Sequence, residues 1–576
     1  MNNTACPLDC YDGCEIIYED KIKAKKSAHT QGFLCPHLNH YEQNEFIEQP
    51  RYNNKEISMQ EALGILKDLI RSSTKEKILH YRGHGNFGLM QGVSDHFFAS
   101  YGATLTDGNL CDGAGEAGII QGRGSNKNMP LSQIAKSEVV VFWGRNPHVS
   151  SSHILPLIKN KKIIVIDPVK TQMAKEADIH VQIQPGGDLE MAMMLSRFLH
   201  IEHGCDEEFL KEYGSESEDY YELTQSIRIK ATLDKIDVSL GDIGSILAMI
   251  KEKKVAIVCG VGIQKYRNGS DVMRAIDAFA TNLGLFGKEG CGVAYLGNSM
   301  QGIQSPFYTK AKRVSKVDTK FSEFNMVFVQ GANPLSQMPN TLRVQKEIQE
   351  LKELVYFGLY ENETSEKASL VIPAKSFLYK NDIRTSFSHH AMMNMPKQKE
   401  SKFGISEYEL SKYLCDAFDV EIKSEDEYIT HFKNFSVLNM EGEKYVENTQ
   451  EVPYQDGFDT DDGEFVFLDE YEVFKGDEDK LFLLTSKSAH SLNSQFKRQT
   501  HAYLNASHGF KDEQIIEIES SVGSLKIKVK IDNDLREDCV LIHSGTKGVN
   551  NLSNSLHSYE GKNASYQEEM VWIKSI

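Results

Sequence analysis

The sequence predicts a multidomain α/β protein with mainly parallel sheets, and three observations lead to this fold class. The chain has 576 residues, which is too long for a single hydrophobic core. Short continuous apolar runs alternate with helical patterns through its middle, as in parallel sheets whose strands are buried on both faces. From Leu481 onward, alternating strands joined by turns indicate an all-β part at the end of the chain.

Composition and charge narrow the class of protein. With 40% hydrophobic and 25% charged residues, the chain is typical of a globular protein. Its formal net charge of −18 argues against nucleic-acid binding, which needs a basic surface. No apolar run approaches the ~20 residues of a membrane span, and the start of the chain lacks the basic and apolar regions of an export signal. We therefore expect a cytoplasmic protein with no membrane span.

Four of the ten cysteines lie within the first 35 residues and form the first candidate site. Cys6, Cys10 and Cys14 are each four positions apart, and 20 residues separate Cys14 from Cys35. Three thiolates on a short loop and a distant fourth can surround one centre, either tetrahedral zinc or a [4Fe-4S] cluster. Structural zinc sites usually consist of two short cysteine pairs, so the observed pattern favours the cluster. Zinc and four unrelated cysteines stay open as alternatives.

The middle of the chain contains the strand and helix signals of a parallel fold. Buried strands are predicted at residues 138–143, 162–166, 179–183, 255–258 and 326–330. Helices are predicted after residue 188 and around residues 271–285. Parallel sheets bind ligands beyond the carboxyl ends of their strands. The residues at or just beyond the carboxyl ends of the first three predicted strands are Gly144, Asn146, Asp167, Gly186, Gly187 and Asp188.

A short motif, Gly-x-Asn-Pro, occurs twice in this region. It follows a predicted strand at residues 144–147 and again at residues 331–334. Each copy is followed by another strand and a Thr-containing acidic loop, at residues 171–178 and 363–369. One copy would indicate only a turn. Two copies in matching contexts indicate duplicated α/β units that hold two related nucleotide-like groups.

Cys111 is the second candidate site. It lies in a glycine-flanked loop, and the residues AGEAGII that follow it predict a helix whose N-terminus would favour a thiolate. Most free cysteines are small buried hydrophobic residues, so a structural role stays open. The nearby candidates for proton handling are His84, Asp112 and Glu116.

These motifs resemble the dimethyl-sulfoxide-reductase superfamily of molybdopterin oxidoreductases, with its formate-dehydrogenase-like and polysulfide-reductase-like catalytic subunits. CPLDCYDGC followed by GFLCP resembles the superfamily's [4Fe-4S] segment, and CDGAGEAG resembles its active-site loop. WGRNP, VIDPVKTQMAKEAD and QPGGD resemble its dinucleotide-binding segments. The resemblance extends over nearly the whole chain in the same order of motifs.

The resemblance implies the cofactors and the residues that bind them. The cofactors are a [4Fe-4S] cluster, bis-molybdopterin guanine dinucleotide, and molybdenum or tungsten. The cluster ligands would be Cys6, Cys10, Cys14 and Cys35, and Cys111 would ligate the catalytic metal. The residues implied to contact the dinucleotides are Asn146, Asp167, Thr171, Gly186, Asp188, Gly262, Asn333, Thr364, Thr485, Ser488, His490, Asn493 and Asn550.

The expected organisation has five parts. An N-terminal iron-sulfur domain (1–50) precedes two pseudo-symmetric α/β pterin-binding domains, one discontinuous (51–130 with 318–415) and one continuous (131–317). An acidic insertion (416–480) then leads to a C-terminal double-psi β-barrel (481–576) that covers the dinucleotides. Residues 451–480 carry a net charge of −10, so we interpret them as a solvated or partner-facing surface.

The resemblance also implies a function. The chain would be a catalytic subunit that oxidises or reduces a small substrate by two electrons and works with an iron-sulfur or other electron-transfer subunit. His37 stands where the family commonly has Lys or Arg, and Asp112 stands where its formate dehydrogenases have His. Three alternatives stay open: a formate-dehydrogenase-like enzyme, a non-redox tungsten hydratase, and a metal-free structural or electron-relay homologue.

Overall fold

The computed structural model describes residues 2–27, 29–83, 88–296, 300, 302–438, 444–447, 449–477 and 479–576. The chain divides into two compact units. The first comprises Met1–Gly108, Ser299–Thr449 and Ala489–Arg498, and the second comprises Asn109–Asn298, Gln450–Ser488 and Gln499–Ile576. The finer division into five parts stays a prediction. Among the described residues, every helix is too short or too polar to cross a membrane.

The α-helices of the described residues are numbered α1 to α17 in chain order. They span Pro36–Asn39, Met59–Ser72, Val93–Tyr101, Gly113–Arg123, Leu131–Ile134, Leu155–Ile158, Gln172–Glu176, Asp188–Ile201, Glu207–Tyr213, Ser217–Gln225, Ile229–Ile236, Leu240–Ile250, Gly269–Asn282, Pro334–Gln337, Thr341–Gln349, Glu407–Ala417 and Glu425–Lys433. Several begin with a capping box, in which a serine and the acidic residue three positions later each bond to the other's backbone amide. The serines are Ser58, Ser239, Ser406 and Ser424.

The strands of the described residues are numbered β1 to β28 in the same way. They span Asn2–Ala5, Glu15–Tyr18, Ile22–Ala24, Arg51–Tyr52, Lys55–Glu56, Ile78–Arg82, Thr104–Asp107, Val139–Trp143, Lys162–Ile166, Ile179–Val181, Val255–Cys259, Gly292–Ala294, Arg313–Ser315, Met326–Gln330, Glu353–Gly358, Leu370–Pro373, Asp382–Arg384, Met393–Met395, Ser436–Leu438, Lys444–Val446, Leu481–Leu484, Ser491–Leu492, Gln495–Phe496, His501–Leu504, Ile515–Glu519, Ser524–Ile531, Cys539–Ile542 and Met570–Ser575. The strands predicted in the middle of the chain are β8, β9, β10, β11 and β14, and the two predicted helices are α8 and α13.

An eight-stranded sheet forms the centre of the first unit, in the order β13-β7-β6-β14-β15-β16-β4-β5. The first six strands in this order, from β13 through β7, β6, β14 and β15 to β16, are parallel. Strands β4 and β5 add an antiparallel edge. All five residues of β14 are buried, as expected for a continuous apolar strand covered on both faces. On one face, Leu66, Phe97 and Leu414 pack in the same core as Phe328 of β14.

A three-stranded antiparallel sheet, β1-β2-β3, lies at the start of the first unit. The loop between β1 and β2 carries three of the N-terminal cysteines. A hydrogen bond of 2.8 Å from the amide of Cys6 to the carbonyl of Cys14 closes this loop. The local sequence therefore forms a tight turn that gathers three thiols.

The second unit contains a five-stranded parallel sheet, in the order β10-β9-β8-β11-β12. Strands β8 and β11 are buried along their whole length. Helices α8 and α13 contribute Met191, Met194 and Ala278 to the core of this unit. The sheet therefore has the two-sided burial that its apolar runs predict.

The C-terminal strands form a closed barrel in the second unit, in the order β21-β27-β24-β26-β25-β28. In β26, Ile527 and Val529 are buried, whereas Lys526, Lys528 and Lys530 are exposed. This alternation with a period of two is what a strand with one buried face requires. The fold class expected from the sequence is confirmed.

The acidic segment before the barrel is anchored by aromatic side chains. Tyr454, Phe458, Phe465 and Phe467 are buried in the core of the second unit. Most of the acidic residues between and after them face solvent. The acidic side chains therefore form the expected solvated surface, while the aromatic residues hold the backbone of the segment against the core.

The two parallel sheets have matching centres. The amide of the motif glycine, Gly144 or Gly331, donates to the end of the next strand along the chain, over 2.8 and 2.9 Å. The amide of a second glycine, Gly260 or Gly83, donates to the last residue of the motif's own strand, over 2.7 and 2.9 Å. A Cβ on Gly260 would lie 1.7 Å from the carbonyl oxygen of Gly144, and a Cβ on Gly83 would lie 2.5 Å from that of Gly331. Both positions therefore require glycine, and the duplicated motif reflects a duplicated structure.

Candidate metal and dinucleotide sites

The four N-terminal cysteines lie in the first unit, where Cys6 and Cys14 are buried and Cys10 and Cys35 are half-buried. Burial raises the pKa of Cys6 to about 11, and it raises the pKa of both Cys10 and Cys35 to about 12. Burial, then Asp12, then the other three thiols raise the pKa of Cys14 well above its ordinary value. Each of the four thiols has its pKa influenced by at least one of the others, so the four lie near one another. All ten cysteines lie in the described part of the chain, where none of them forms a disulfide.

Backbone amides are directed at these sulfur atoms. The amide nitrogen of Leu8 lies 3.5 Å from Sγ of Cys6. The amide of Asp12 bonds to Cys10, and the amides of His37 and Leu38 bond to Cys35. Such bonds stabilise thiolates, whereas burial alone keeps the thiols protonated. Four thiols with amides directed at their sulfur atoms fit a cationic cluster, which would hold all four of them in the thiolate form.

His37 connects this region to a neighbouring cavity. Its Nε2 lies 3.2 Å from the carbonyl oxygen of Ser491, and its ring centroid lies 6.0 Å from that of Phe496. Phe496 is one wall of the cavity described below. His37 therefore contacts the β22–β23 hairpin, which contributes Phe496 to the wall of that cavity.

Cys111 lies one residue before the N-cap of α4, in the second unit. The side-chain oxygen of Asn109 accepts hydrogen bonds from the amides of Cys111 and Asp112, over 2.7 and 2.9 Å. The thiol is half-buried. Because the N-terminus of a helix favours negative charge, this position suits a thiolate ligand.

A buried glutamine holds the Cys111 loop from the other side. Nε2 of Gln264 donates to the carbonyl of Cys111 over 2.7 Å and to that of Val261 over 2.9 Å. Its Oε1 accepts from the amide of Gly115 over 2.9 Å, and the side chain is fully buried. Sequence analysis missed Gln264, since a single glutamine in a loop belongs to no recognisable pattern.

Two more residues outside the sequence-based predictions contact this loop. The hydroxyl of Tyr295 donates to the carbonyl of Asp112 over 3.3 Å. The side-chain oxygen of Asn563, in the C-terminal part, accepts from the amide of Ala114. The start of α4 is therefore fixed by contacts from three separate segments of the second unit.

A half-buried lysine lies near the same loop. Burial lowers the pKa of Lys265, the charge of Cys111 raises it, Lys487 lowers it, and Asp112 raises it. Lys265 is thus close enough to balance a thiolate at Cys111. Of the residues proposed for proton handling, Asp112 is the N-cap of α4, Glu116 lies in its first turn, and His84 lies outside the described residues.

Asp167 and Asp188 lie together at the sheet edge of the second unit. Burial raises the pKa of Asp167 to about 7, an effect that the amide of Val169 opposes and Asp188 reinforces. Burial also raises the pKa of Asp188 to about 6. Oδ1 of Asp167 accepts from Val169 over 2.8 Å, and Oδ1 of Asp188 accepts from Nε1 of Trp143 over 2.7 Å. These bonds orient both carboxyl groups at the carboxyl ends of the strands.

The other predicted residues of this edge differ in their surroundings. Oδ1 of Asn146 accepts from the amide of His148 over 3.2 Å, and Thr171 caps α7. Gly186 has a φ of 81°. A Cβ on Gly262 would meet no atom within 4 Å. Asn146 and Gly262 follow β8 and β11, the adjacent strands between which the direction of winding changes, and ligands of such sheets bind at that point.

Asn333 and Thr364 are in direct contact in the first unit. The Thr364 hydroxyl donates to Oδ1 of Asn333 over 2.8 Å. Nδ2 of Asn333 donates to Glu363 over 2.8 Å and to Ser494 over 3.2 Å, and Arg498 pairs with Glu363 at 2.8 Å. Burial would raise the pKa of Glu363, but Arg498 and Asn333 lower it below its ordinary value. Asn333 and Thr364 were expected from the sequence, whereas the Glu363–Arg498 ion pair was not.

This network borders a cavity of about 1050 Å³ in the first unit. Its walls include residues 330–333 and 356–362, at the carboxyl ends of the adjacent parallel strands β14 and β15, together with residues 494–496 and Arg498. Pro7 and Leu8 of the cysteine loop also line it. Aromatic side chains contribute further surface: Tyr41, Phe46, Tyr360, Tyr379 and Phe496. A cavity of this size and position, with polar and aromatic walls, fits a dinucleotide.

The predicted contacts of the C-terminal part are divided between the units. Thr485, Ser488 and Asn550 belong to the second unit, and Ser488 is buried. His490 and Asn493 belong to the first unit, on or beside the β22–β23 hairpin, where Asn493 has a φ of 52°. The structure therefore groups the first three residues with the barrel and the last two with the cavity-bearing unit.

Known proteins resemble this chain along most or all of its length. The family model for molybdopterin oxidoreductase matches residues 59–405. The chain is 26% identical to the probable oxidoreductase YyaE of Bacillus subtilis (strain 168), over 100% of this chain and 99% of that protein. It is 23% identical to formate dehydrogenase H of Escherichia coli (strain K12), over 65% of this chain and 62% of that protein. Acetylene hydratase from Pelobacter acetylenicus has the same fold, with a TM-score of 0.79, 15% identity and full coverage of both chains.

The family match covers more than half of the chain. It includes the central strands of both parallel sheets and the Cys111 loop. The enzyme class expected from the sequence is confirmed. The chain belongs to the molybdopterin oxidoreductase family, within the dimethyl-sulfoxide-reductase superfamily.

Proposed function

We propose that the chain is the catalytic subunit of a molybdenum or tungsten oxidoreductase that acts on a small substrate and exchanges electrons with a partner redox protein through a [4Fe-4S] cluster. The observation that carries this proposal is the proximity of four N-terminal thiols to one another in a chain of this family. When bound, the metal and its two pterin dinucleotides supply two-electron chemistry, and the cluster supplies one-electron storage. The chain's own residues bind, orient and shield these groups.

Cys6, Cys10, Cys14 and Cys35 are the proposed cluster ligands. Their raised pKa values mean that binding must release protons, so assembly is coupled to deprotonation of the thiols. The inward-directed amides favour the resulting thiolates. A cluster at this position would lie beside the cavity of the first unit, because Pro7 and Leu8 belong both to the cysteine loop and to the cavity wall.

Cys111 is the proposed protein ligand of the catalytic metal. A soft thiolate suits a metal that already has sulfur ligands. Asn109 and Gln264 hold the backbone of its loop from two sides, and Lys265 places a positive charge nearby. The backbone that carries the sulfur is therefore fixed by the protein before any metal is bound, as precise ligand placement requires.

The two switch-point edges are the proposed dinucleotide sites. Asp167 and Asp188 would accept hydrogen bonds from ribose hydroxyls or guanine nitrogens at one edge. Asn333 and Thr364 would serve the other dinucleotide, with the Glu363–Arg498 pair fixing their positions. The remaining proposed contacts are Asn146, Thr171, Gly186, Gly262, Thr485, Ser488, His490, Asn493 and Asn550.

Metal analysis of anaerobically purified protein tests the cofactors. We expect near-stoichiometric molybdenum or tungsten and about four iron atoms per chain. Zinc at the cysteine cluster with neither molybdenum nor tungsten would contradict the proposal. Replacing a cluster ligand, as in Cys10→Ala, should remove the iron, whereas Cys415→Ala in the core of the first unit should retain it.

A second experiment tests Cys111. Cys111→Ala should abolish turnover while the electron paramagnetic resonance (EPR) signal of the reduced cluster remains. Cys291→Ala is the matched control, because Cys291 is also a half-buried cysteine of the second unit and has no proposed contact with a cofactor. Unchanged turnover in Cys111→Ala would show that this thiol is not essential.

The substrate class can be tested with artificial electron donors and acceptors. The relatives of the chain include a formate dehydrogenase and a nitrate reductase, so formate oxidation and nitrate reduction are the first assays. Turnover of a substrate that persists without any electron donor or acceptor would favour non-redox hydration. That result would contradict the redox part of the proposal while leaving the cofactors in place.

A further inference from the structure

One arginine of the first unit closes over the loop that carries Cys6, Cys10 and Cys14. Arg384, the last residue of β17, is fully buried. Its Nη1 donates to the carbonyls of Cys6 and Leu8, the latter over 2.8 Å, and its Nη2 donates to the carbonyl of Cys10 over 3.2 Å. A single guanidinium thus bonds to three carbonyl oxygens of the cysteine loop, although 378 positions separate it from Cys6.

The residues after Arg384 continue the same pattern of contacts. The hydroxyl of Ser386 lies 3.2 Å from the carbonyl oxygens of Tyr11 and Asp12, and that of Ser388 lies 3.1 Å from the Asp12 carbonyl oxygen. His389 Nε2 lies 3.0 Å from the carbonyl oxygen of residue 13. Residues 384–389 therefore bind the loop along its carbonyl side, while loop amides are directed at the sulfur atoms.

Arg384 differs from its neighbours in this segment because it adds a permanent charge. Arginine is not deprotonated in proteins. The guanidinium bonds directly to the backbone carbonyls of Cys6 and Cys10, two of the proposed cluster ligands, so its charge lies next to the residues that would bind the cluster. Inside a protein the effect of such a charge is screened less than in water.

We propose that Arg384 is a positioning residue whose buried charge sets the reduction potential of the cluster, favouring the reduced state. The inference rests on the proposed function, since it requires that the cysteine loop binds a [4Fe-4S] cluster. Reduction adds one electron, taken from the partner redox protein or from a chemical reductant, and makes the thiolate-bound cluster more negative. A fixed positive charge stabilises that product more than the oxidised state, and net charge is among the determinants of cluster potential.

The test is an EPR-monitored redox titration of the intact chain and three variants. Arg384→Gln removes the charge and keeps a hydrogen-bond donor, whereas Arg384→Lys keeps the charge and loses the branched set of donors. Ser388→Ala is the matched control, because it removes a neutral donor from the same side of the loop. Iron content and thermal unfolding of each sample show whether the cluster and the fold are retained.

The expected result is a difference that follows charge. Arg384→Gln should lower the equilibrium constant for reduction at least about tenfold, equivalent to about 59 mV for a one-electron couple. Arg384→Lys and Ser388→Ala should change it much less. An unchanged potential in an iron-replete Arg384→Gln protein would overturn the inference, and so would equal shifts in the Gln and Lys variants.

Loss of the cluster from the variants is also informative. Iron lost from Arg384→Gln but retained in Arg384→Lys would show that the charge holds the thiolates, and would support the inference. Iron lost from both would show that the guanidinium only maintains the shape of the loop, and would overturn it. The iron content of the unaltered chain tests the proposed function separately: a chain that never binds iron refutes both, whereas an iron-replete chain with a charge-independent potential refutes only the role of Arg384.

Discussion

The substitution Gln264→Leu tests how firmly the Cys111 loop is held. It places an apolar side chain of similar size at a fully buried position and removes three hydrogen bonds. Two of them run to the carbonyls of Cys111 and Val261, over 2.7 and 2.9 Å, and the third comes from the amide of Gly115 over 2.9 Å. Gly115 lies in the first turn of α4, where backbone amides have no partner within the helix. The side chain of Gln264 therefore supplies a cap for α4 as well as a support for Cys111.

The size of the effect follows from these contacts. A buried hydrogen bond contributes about 1 kcal/mol net, and a partner left unsatisfied costs more. Three lost bonds should thus reduce the free energy of opening the loop by about 3 kcal/mol, which corresponds to roughly a hundredfold faster amide exchange through local opening. Since displacement of a reacting group by about 1 Å can cost about a hundredfold in rate, turnover should fall by a similar factor.

Hydrogen–deuterium exchange read by mass spectrometry measures the opening directly. Peptides that cover residues 111–116 should exchange faster in Gln264→Leu, with or without bound metal. Gln133→Leu is the matched control, because Gln133 is also a buried glutamine of the second unit and accepts one bond of 3.0 Å from the amide of Gly290. If Gln264→Leu showed unaltered exchange at residues 111–116 and full turnover, the assignment of a supporting role to Gln264 would be wrong.

Three further predictions concern the second unit. Arg123→Met leaves the buried carboxyl of Asp277 without its ion pair and should cost about 3–5 kcal/mol of stability, most of it recovered in an Arg123→Met, Asp277→Leu double variant, as thermal unfolding would show. Burial raises the pKa of Asp167 from 3.8 to about 7, so the folded state binds an extra proton between these values. Stability of the cofactor-free chain should therefore fall as pH rises through that range, and fall less in Asp167→Asn. Gly260→Ala would put a Cβ 1.7 Å from a carbonyl oxygen and should prevent stable folding, whereas Gly244→Ala, with no atom within 4 Å, should be tolerated in a solubility and unfolding assay.

The parallel sheets were predictable because their strands have a local signature. Strands β8, β9 and β14 are short runs of apolar residues, and burial on both faces of a sheet requires such runs. The edges of the eight-stranded sheet were not predictable. Strands β4 and β5 have two residues each and β13 has three, and they are polar enough that only pairing with distant segments makes them strands. A sequence pattern cannot show pairings of this kind.

The candidate sites show the same division between local and distant information. Cys6, Cys10 and Cys14 are close in sequence, so their spacing could indicate a common centre. The residues that hold the sites come from elsewhere: Gln264 is 153 positions from Cys111, and Arg384 is 378 positions from Cys6. One glutamine or one arginine has no periodicity or spacing of its own. Only the folded chain shows that these two side chains bond to the backbone of the cysteine loops.

The two parallel sheets show why the duplication is clearer in space than along the chain. In the second unit, the Gly-x-Asn-Pro motif follows β8, and β9 and β10 come next in the chain on one side of β8. Strand β11 comes later in the chain and pairs with the other side of β8. In the first unit the corresponding strand, β6, comes before β14 in the chain. The glycine contacts are nevertheless the same, with Gly260 against Gly144 and Gly83 against Gly331.

This reversal of chain order has a physical consequence. A switch point needs two adjacent parallel strands whose connections leave in opposite directions. The order of these two strands along the chain does not matter. The first unit can therefore form its switch point from two segments that are far apart in sequence. These segments come before and after Asn109–Asn298, which belongs to the second unit. The Gly-x-Asn-Pro strand is the common element of both edges, and the glycine facing it must come from a different segment in each. A sequence repeat reveals the Gly-x-Asn-Pro strand in both units. It does not reveal the facing glycine, because that glycine has no fixed position in the chain relative to the motif.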